Sequence, residues 1–337
     1  MNKNGSPYYK RFASIVLGIA RRALSPFSNK FSKKTYTQPQ LAACICLMKH
    51  ERKPYRDVVD ELEELKGLFD FDKVPHYTTL QKFFKRIPLR VWDAMLSFAF
   101  RLFGIRRMDA AIDSTGYDER NASYHYLWRI GEERHRRVFT KHSIVVDPKT
   151  EAIAVSSSNR RYESDNKTFM PLMKKAAEIV KIDKILADKG YDSERNHRFS
   201  RERLHAESII PARNEGVPIW KTRGRWRKLM KASFTLDEYH KRSLVETVNS
   251  VKKRKFGSTL GSKLHFNKLK EVKVIDVIYD IRRFIQLAYI IIIGFLQSLL
   301  YINFKDKSHP NLFFCPAPLL LSFLRICSIL MHQFLLL

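Results

Sequence analysis

The chain is short of acid. Of its 337 residues 34 are Asp or Glu against 62 Lys or Arg, a formal charge of +28. Such an excess attracts polyanions, nucleic acid being the usual one, although a membrane surface or a ribosome would draw similar totals. Cysteine is scarce as well. Cys44, Cys46, Cys315 and Cys327 form no C-x-x-C pair, so nothing points to a disulfide framework or a thiolate metal site, which fits a reducing compartment. Cys44 and Cys46 stand two apart in a predicted helix and face different directions, as buried thiols do. A secretory leader is not indicated: SIVLGIA is a short apolar run between basic flanks without a clear small-residue cleavage site. Apolar content is ordinary, and the length suffices for two domains or one large domain with an appendage.

Residues 1–35, basic with Pro7, Pro26 and several serines, read as a loosely ordered arm. Residues 36–107 read as a helical DNA-binding domain. QPQLAACICLMKHE begins with Pro39 near a helix start, YRDVVDELEELKGL ends near Gly67, and a third helix begins at Thr78 or Thr79 and stops before Pro88. This third helix carries Gln81, Lys82, Lys85 and Arg86 on one side. The order matches a helix-turn-helix with Lys82 and Lys85 as DNA contacts, or a plain bundle with a basic face.

From residue 108 the period changes to that of strands. MDAAIDST is an apolar run ending in Asp113; FTKHSIVVD and EAIAVSSS form a hairpin about Asp147-Pro148-Lys149-Thr150. NKTFMPLMKKAAEIVK reads as a helix, KILADKGYD as a strand ending at Asp188, and ESIIPAR as a further strand. Strands with intervening helices predict an α/β sheet. Residues 212–238 read as an irregular basic insertion in which Arg223, Arg225 and Trp226 suit a nucleic-acid backbone and an unstacked base, or form a solvated loop. His125, His135 and His142 show no ligand spacing and read as loop or surface residues.

One stretch has neither glycine nor proline: YHKRSLVETVNSVKKRK, Tyr239 to Lys255. Its spacing predicts a single amphipathic helix. At about 100° per residue, Tyr239, Arg242, Glu246 and Lys253 share a narrow arc, and Leu244, Val245, Val248 and Val251 lie across from it. A lone acid among bases is either an ordinary i,i+4 pairing or part of a site. Asp113 and Asp188, each at a strand end, supply two further carboxylates at the edge where open α/β sheets place their ligands. Three carboxylates without a His or Cys cluster suit hard divalent cations, which serve phosphoryl transfer in pairs. Asp109, Asp118 and Asp192 lack either the strand-end position or the motif.

AAIDSTGY, LADKGYDS and YHKRSLVETVNSVKK together resemble the DDE-class insertion-sequence transposases of bacteria and archaea, whose core is ribonuclease H-like. The last stretch fits that family's Y-x2-R-x3-E-x6-K signature, and the resemblance covers roughly residues 35 to 297. It implies a ribonuclease H-like DDE catalytic domain over 108–297. In it Asp113, Asp188 and Glu246 are the catalytic triad and metal ligands, binding two Mg2+ ions with Mn2+ as a substitute. It implies DNA cleavage and strand transfer on double-stranded DNA, both terminal inverted repeats and target, by a homodimer in a cytoplasmic, nucleoid-associated setting. Tyr239, Arg242 and Lys253 would meet the DNA. A catalytically inactive DNA-binding remnant or repressor of the element is the alternative. Residues 298–337 depart from the family as an apolar tail, either a fused or out-of-frame ending or a membrane-seeking hairpin, while residues 284–297 read as finishing the core. Phe284 to Phe304 carries no charge and is long enough to be considered for a membrane span, although a membrane partner is not expected.

Overall fold

This computed structural model describes residue 3 and residues 5–119, 139–160 and 164–305. His125, His135, Cys315, Cys327 and the tail from residue 306 lie outside the described residues.

Five helices precede the sheet: α1 (Pro7–Ala23), α2 (Gln38–His50), α3 (Asp57–Leu65), α4 (Tyr77–Arg86) and α5 (Leu89–Arg101). Thr37 opens α2 with a capping box: its hydroxyl accepts from Gln40 N, and the Gln40 side chain reaches back to Thr37 N. In α4 the cap is His76, so the helix begins at Tyr77, one residue before the predicted Thr78. The helix stops at Arg86 because Pro88 forces Ile87 into an extended conformation. Gln81, Lys82, Lys85 and Arg86 form its exposed side, while Leu80, Phe83 and Phe84 are buried.

The segment expected to be a loose arm is different. Its apolar run is the inner stripe of α1, where Phe12, Val16, Ile19 and Ala20 are buried against the other helices. The spacing of three and four residues puts them on one face.

The sheet has the order β3-β2-β1-β4-β5, with β6 pairing the far end of β1. β1 (Arg107–Glu119), β2 (Phe139–Val146) and β3 (Ile153–Arg160) are antiparallel, joined at the expected hairpin, where Asp147 Oδ2 accepts from Thr150 N and Oγ1. β4 (Lys181–Leu186) and β5 (Glu207–Ile209) run parallel to β1. This is the ribonuclease H-like arrangement.

Period-two alternation gives β1 two apolar faces. Met108, Ala110 and Ile112 pack with α6 (Asp165–Ala177), and Ala111 and Tyr117 belong to the core shared with the N-terminal helices. After β4 come α7 (Glu194–Arg198), which continues as a π-helical turn, then α8 (Arg225–Ser233), α9 (Leu236–His240), α10 (Ser243–Phe256), β6 (Thr259–Leu260) and α11 (His265–Lys305).

α11 is the spine. Its residues from Val272 to Ile285 contribute to the same apolar cluster as α1–α5 and one sheet face. It also buries charges, each with a partner. Lys270 donates to the carbonyls of Phe84, Lys85 and Ile87 at the end of α4. Glu271 pairs with Lys49 of α2, and Lys273 lies 2.5 Å from Asp93 of α5. The expected boundary at 297 falls inside this helix. Among the described residues no helix is long and apolar enough to cross a membrane.

Because α11 lies in the core with α1–α5, a fragment starting at Met108 is expected to show no cooperative thermal transition. Calorimetry of that fragment against the full chain checks this; a sharp transition in the fragment would count against a shared core.

Candidate active site

Register brings the first two acids together. β4 pairs with β1 in parallel, Ala111 opposite Leu186, and ends there. Two residues on along each chain stand Asp113 and Asp188. Asp113 does not close its strand as expected: β1 continues to Glu119 because β2 pairs with it through Asp118. It lies instead where the parallel neighbour has stopped, so one flank of β1 is open beside it. The parity of Ala111 and Tyr117 turns Asp113 toward α10, while Ser114 takes the opposite face. There its hydroxyl meets Ser143 Oγ at 2.7 Å and Tyr191 Oη at 2.9 Å. Tyr191 is buried and ends the 3-10 turn that Asp188 caps, Asp188 Oδ1 accepting from Gly190 N at 2.8 Å. The Tyr191–Ser114 contact thus fastens the Asp188 turn to β1 beside Asp113. Burial pushes the Tyr191 phenol up, with Asp113 and Asp188 adding to the effect.

Glu246 arrives on α10. The stretch 239–255 is not one helix: Tyr239 belongs to α9, and α10 begins only at Ser243. Arg242 sits in the turn between them. Its guanidinium lies 2.6 Å from Glu246 Oε1 and 3.9 Å from Asp113 Oδ1, so one cation stands between two of the three acids. The same group lies 5.5 Å from the centroid of the Tyr239 ring. Burial raises the Tyr239 phenol, Arg242 lowers it, and Asp188 and Glu246 both raise it, which puts this ring near the second and third acids. Burial also raises the Asp113 carboxyl, offset by a hydrogen bond from the Ser114 backbone, by Arg242 and by a hydrogen bond from Asn249, with Glu246 adding to the rise. Burial lowers the Lys253 ammonium, and Asp118 and Asp113 are among its charged neighbours. A cleft of about 560 Å3 opens beside these groups, with Asp188, Lys189, Tyr239 and Arg242 on one side and Pro211, Met230, Phe234 and Leu236 among its apolar walls.

The inward side of α10 differs from the predicted one. Its buried residues are Val245, Val248, Asn249, Lys252 and Phe256; Leu244 and Val251 are only half-buried. At about 100° per residue this stripe lies a quarter turn from the Arg242–Glu246–Lys253 face, not across from it. Two of its members are polar. Asn249 Nδ2 donates to Asp113 Oδ2 at 3.2 Å. Lys252 Nζ lies 2.5 Å from Asp276 Oδ1 of α11, an ion pair off the line of an aligned hydrogen bond.

Asp276 also accepts from Ser156 Oγ at 2.6 Å and faces His142 Nε2 at 3.0 Å. His142 is therefore not a surface residue. It is fully buried on β2, with Nδ1 2.8 Å from Ser158 Oγ. Asn249, Lys252 and Asp276 were missed in the sequence. The available signal was a polar residue at each of two positions in the 245–248–252–256 spacing.

The basic insertion is more ordered than expected. Glu194 accepts from Trp226 N and Arg227 N at 3.1 Å each, capping α8. Asp192 takes a bidentate Arg227 at 2.8 and 2.6 Å, a structural task; against burial, which raises its carboxyl, His197 and then Arg227 hold it low. Trp226 is half-buried, its indole N–H donating to Glu202 Oε1 at 2.8 Å and Arg225 lying 5.0 Å from its ring. Among the described residues Trp220 is the exposed tryptophan, at 76 %. Arg223 and Arg225 are exposed, as are Lys82 and Lys85 on α4. These residues lie on different elements from the three acids.

Comparison with known proteins decides the class. Residues 106–270 match the family model described as Transposase DDE domain, just under half of the chain. Over these residues the chain is similar to a transposase DDE domain. The match takes in all three acids and ends within the first turns of α11. No curated protein sequence matches the chain. The solved structures similar to it include the cryo-EM structure of a piggyBac transposase synaptic complex with hairpin DNA. That structure is 11 % identical, covers 96 % of this chain and 84 % of that one, and superposes with a TM-score of 0.42.

Among the described residues no three His, Cys, Asp or Glu side chains converge on one point that could hold a metal ion. The donor set nevertheless fits a hard divalent cation in kind: oxygen ligands only, two of them already drawn to one positive charge, Arg242. A buried carbonyl oxygen, Asn249 Oδ1, stands beside Asp113 without a partner.

The buried histidine generates a pH prediction. Burial lowers the His142 imidazole to about 4, with Lys252 and Lys273 lowering it and Asp276 raising it. The unfolded chain takes up this proton near the ordinary value of 6.5, the folded one only near 4, so stability is complete above pH 6.5 and falls as pH drops toward 4. The loss is expected to reach at most about 3 kcal/mol. His142→Gln should flatten this part of the profile in denaturant titrations; an unchanged slope would remove His142 from the account.

Proposed function

We propose that the chain is a metal-dependent transposase that cleaves the ends of an insertion sequence and joins them to target DNA. The observation that supports the reading is that Asp113 and Asp188 each stand two residues beyond the paired Ala111 and Leu186, while Arg242 lies between Asp113 and Glu246 of the Y-R-E-K signature. Asp113, Asp188 and Glu246 would hold two divalent cations, Mg2+ with Mn2+ as a substitute. When bound, such ions activate an attacking oxygen and stabilise the leaving one in phosphoryl transfer.

The chain's own residues bind and orient the DNA. Arg242 and Lys253 receive phosphates of the cleaved strand, and a phosphate that draws Arg242 away from Asp113 and Glu246 frees both carboxylates for cation binding. Tyr239, on the wall of the cleft beside Asp188, positions the sugar–phosphate backbone or a flanking base. Lys82 and Lys85 on the outer side of α4, and Arg223, Arg225 and Trp226 on the insertion, extend the contact to the duplex; of these Trp226 offers only its free edge. The working form is a homodimer that synapses two terminal inverted repeats, associated with the nucleoid in the cytoplasm. The second reading, favoured by the apolar tail alone, is a catalytically inactive DNA-binding remnant or repressor of the element. A Mg2+-dependent cleavage assay on a terminal inverted repeat separates the two.

Glu246→Gln removes a ligand charge and keeps the shape, so cleavage should be lost while binding of the same DNA is nearly unchanged; substantial cleavage by this variant would refute the assignment. Replacing both Lys82 and Lys85 with Glu should weaken duplex binding at every sequence. The slope of log affinity against log salt should fall by about 1 for each phosphate that is no longer neutralised. A salt titration by fluorescence anisotropy reads this, and an unchanged slope would remove α4 from the interface.

A further inference from the structure

Asn249 lies three residues after Glu246 on α10, so its side chain emerges one turn further along, between the buried stripe and the face that carries Arg242, Glu246 and Lys253. It is 5 % exposed. Its amide nitrogen donates to Asp113 Oδ2 at 3.2 Å, and its carbonyl oxygen, equally enclosed, has no partner. A buried acceptor left unpaired costs about 1–3 kcal/mol. Leucine has the same branched outline, although it is larger; it would extend the Val245–Val248 apolar stripe and would avoid that cost. Core packing therefore does not account for an amide at this position.

The hydrogen bond does account for it. An ionised carboxylate only accepts, so the Asn249 amide must turn its NH2 toward Asp113. Doing so engages Oδ2 and leaves Oδ1 facing Arg242, 3.9 Å away, on the side of Glu246. The Ser114 backbone N–H also holds this carboxyl; without the amide Oδ2 loses its side-chain donor and the carboxyl is freer to turn about its terminal bond, which has a broad torsional minimum. The helix is itself fixed one turn later, where Lys252 enters the buried pair with Asp276.

We infer that Asn249 is a positioning residue: it holds one oxygen of Asp113 so that the other is presented for cation binding, and its unpaired carbonyl is kept for a hydrogen bond that forms once the site is filled. The inference rests on the reading of Asp113, Asp188 and Glu246 as cation ligands. A residue acting this way belongs with the outer-shell groups whose loss costs about 10–100-fold in metal affinity.

The test is Mn2+ binding to the full-length protein without DNA, followed by the electron paramagnetic resonance signal of free Mn2+. The variants are Asn249→Leu, Asn249→Ala and Asp113→Asn, with thermal unfolding measured on each. Asn249→Leu is expected to weaken Mn2+ binding about 10–100-fold while its melting temperature is unchanged or raised, because a buried unpaired acceptor is gone. Asn249→Ala should show the same loss of affinity and serves if leucine overpacks the site. If Asp113→Asn abolishes Mn2+ binding and a folded Asn249 variant binds within about twofold of the parent, the inference fails and the reading of the acids stands. If the parent does not bind Mn2+, or Asp113→Asn leaves binding intact, the reading of the acids fails and takes the inference with it.

Discussion

The fold of the active region depends on a buried charge, Asp276. Its carboxylate is fully enclosed and meets groups from three elements: Lys252 of α10, His142 of β2 and Ser156 of β3. These partners hold its proton well off despite burial. Enclosing a lone carboxylate would be prohibitive, and removing one member of such a pair costs about 3–5 kcal/mol, much more than an exposed salt bridge contributes. The geometry tolerates little slack. α11 supplies the anion, the antiparallel half of the sheet supplies the polar floor, and α10 is drawn down by its lysine. Glu246 and Asn249, both on α10, are placed over Asp113 by this attachment. Apolar contact alone, being non-directional, would leave the helix free to slide by a fraction of a turn.

The same spine ties the exposed basic side of α4 to the acids. Lys270 closes the end of α4 by donating to three carbonyls that the helix leaves unpaired, and Glu271, its neighbour, reaches Lys49 and the backbone of Gly261 and Ser262. Helices that come first in the chain are thus set against the sheet by a helix that comes last. A duplex lying on α4 would be held at a fixed distance from the carboxylates without any flexible joint between them.

Much of this was legible in the sequence. Period-two runs gave β1 to β5 and their order of appearance, and Thr37, Pro39 and Pro88 marked helix limits. The Y-R-E-K spacing drew attention to Glu246. Other features escaped for identifiable reasons. The strand carrying Asp113 was read as ending there because polar residues follow, but β2 pairs with it for several residues more. SIVLGIA looked like an isolated apolar run because the helices it packs against begin some fifteen residues later. The basic insertion looked irregular because the group that starts α8, Glu194, lies thirty residues upstream. His142 was set aside for lack of ligand spacing, yet its partners, Ser158 and Asp276, stand on another strand and on the last helix.

The sequence by itself determined the local periods and the excess of positive charge, because these depend on residue type and on neighbours within a turn or two. Only the tertiary structure decided how the strands and helices that carry Asp113, Asp188 and Glu246 lie against one another. Asp113 is level with Asp188 because parallel pairing sets Ala111 opposite Leu186, a register that no short-range pattern encodes. Asn249 and Lys252 look like ordinary polar residues of a surface helix until Asp113 and Asp276, each more than twenty residues away in the chain, are brought against them. Long-range pairing of buried polar groups leaves no periodic trace in a sequence, and here that pairing fixes the site.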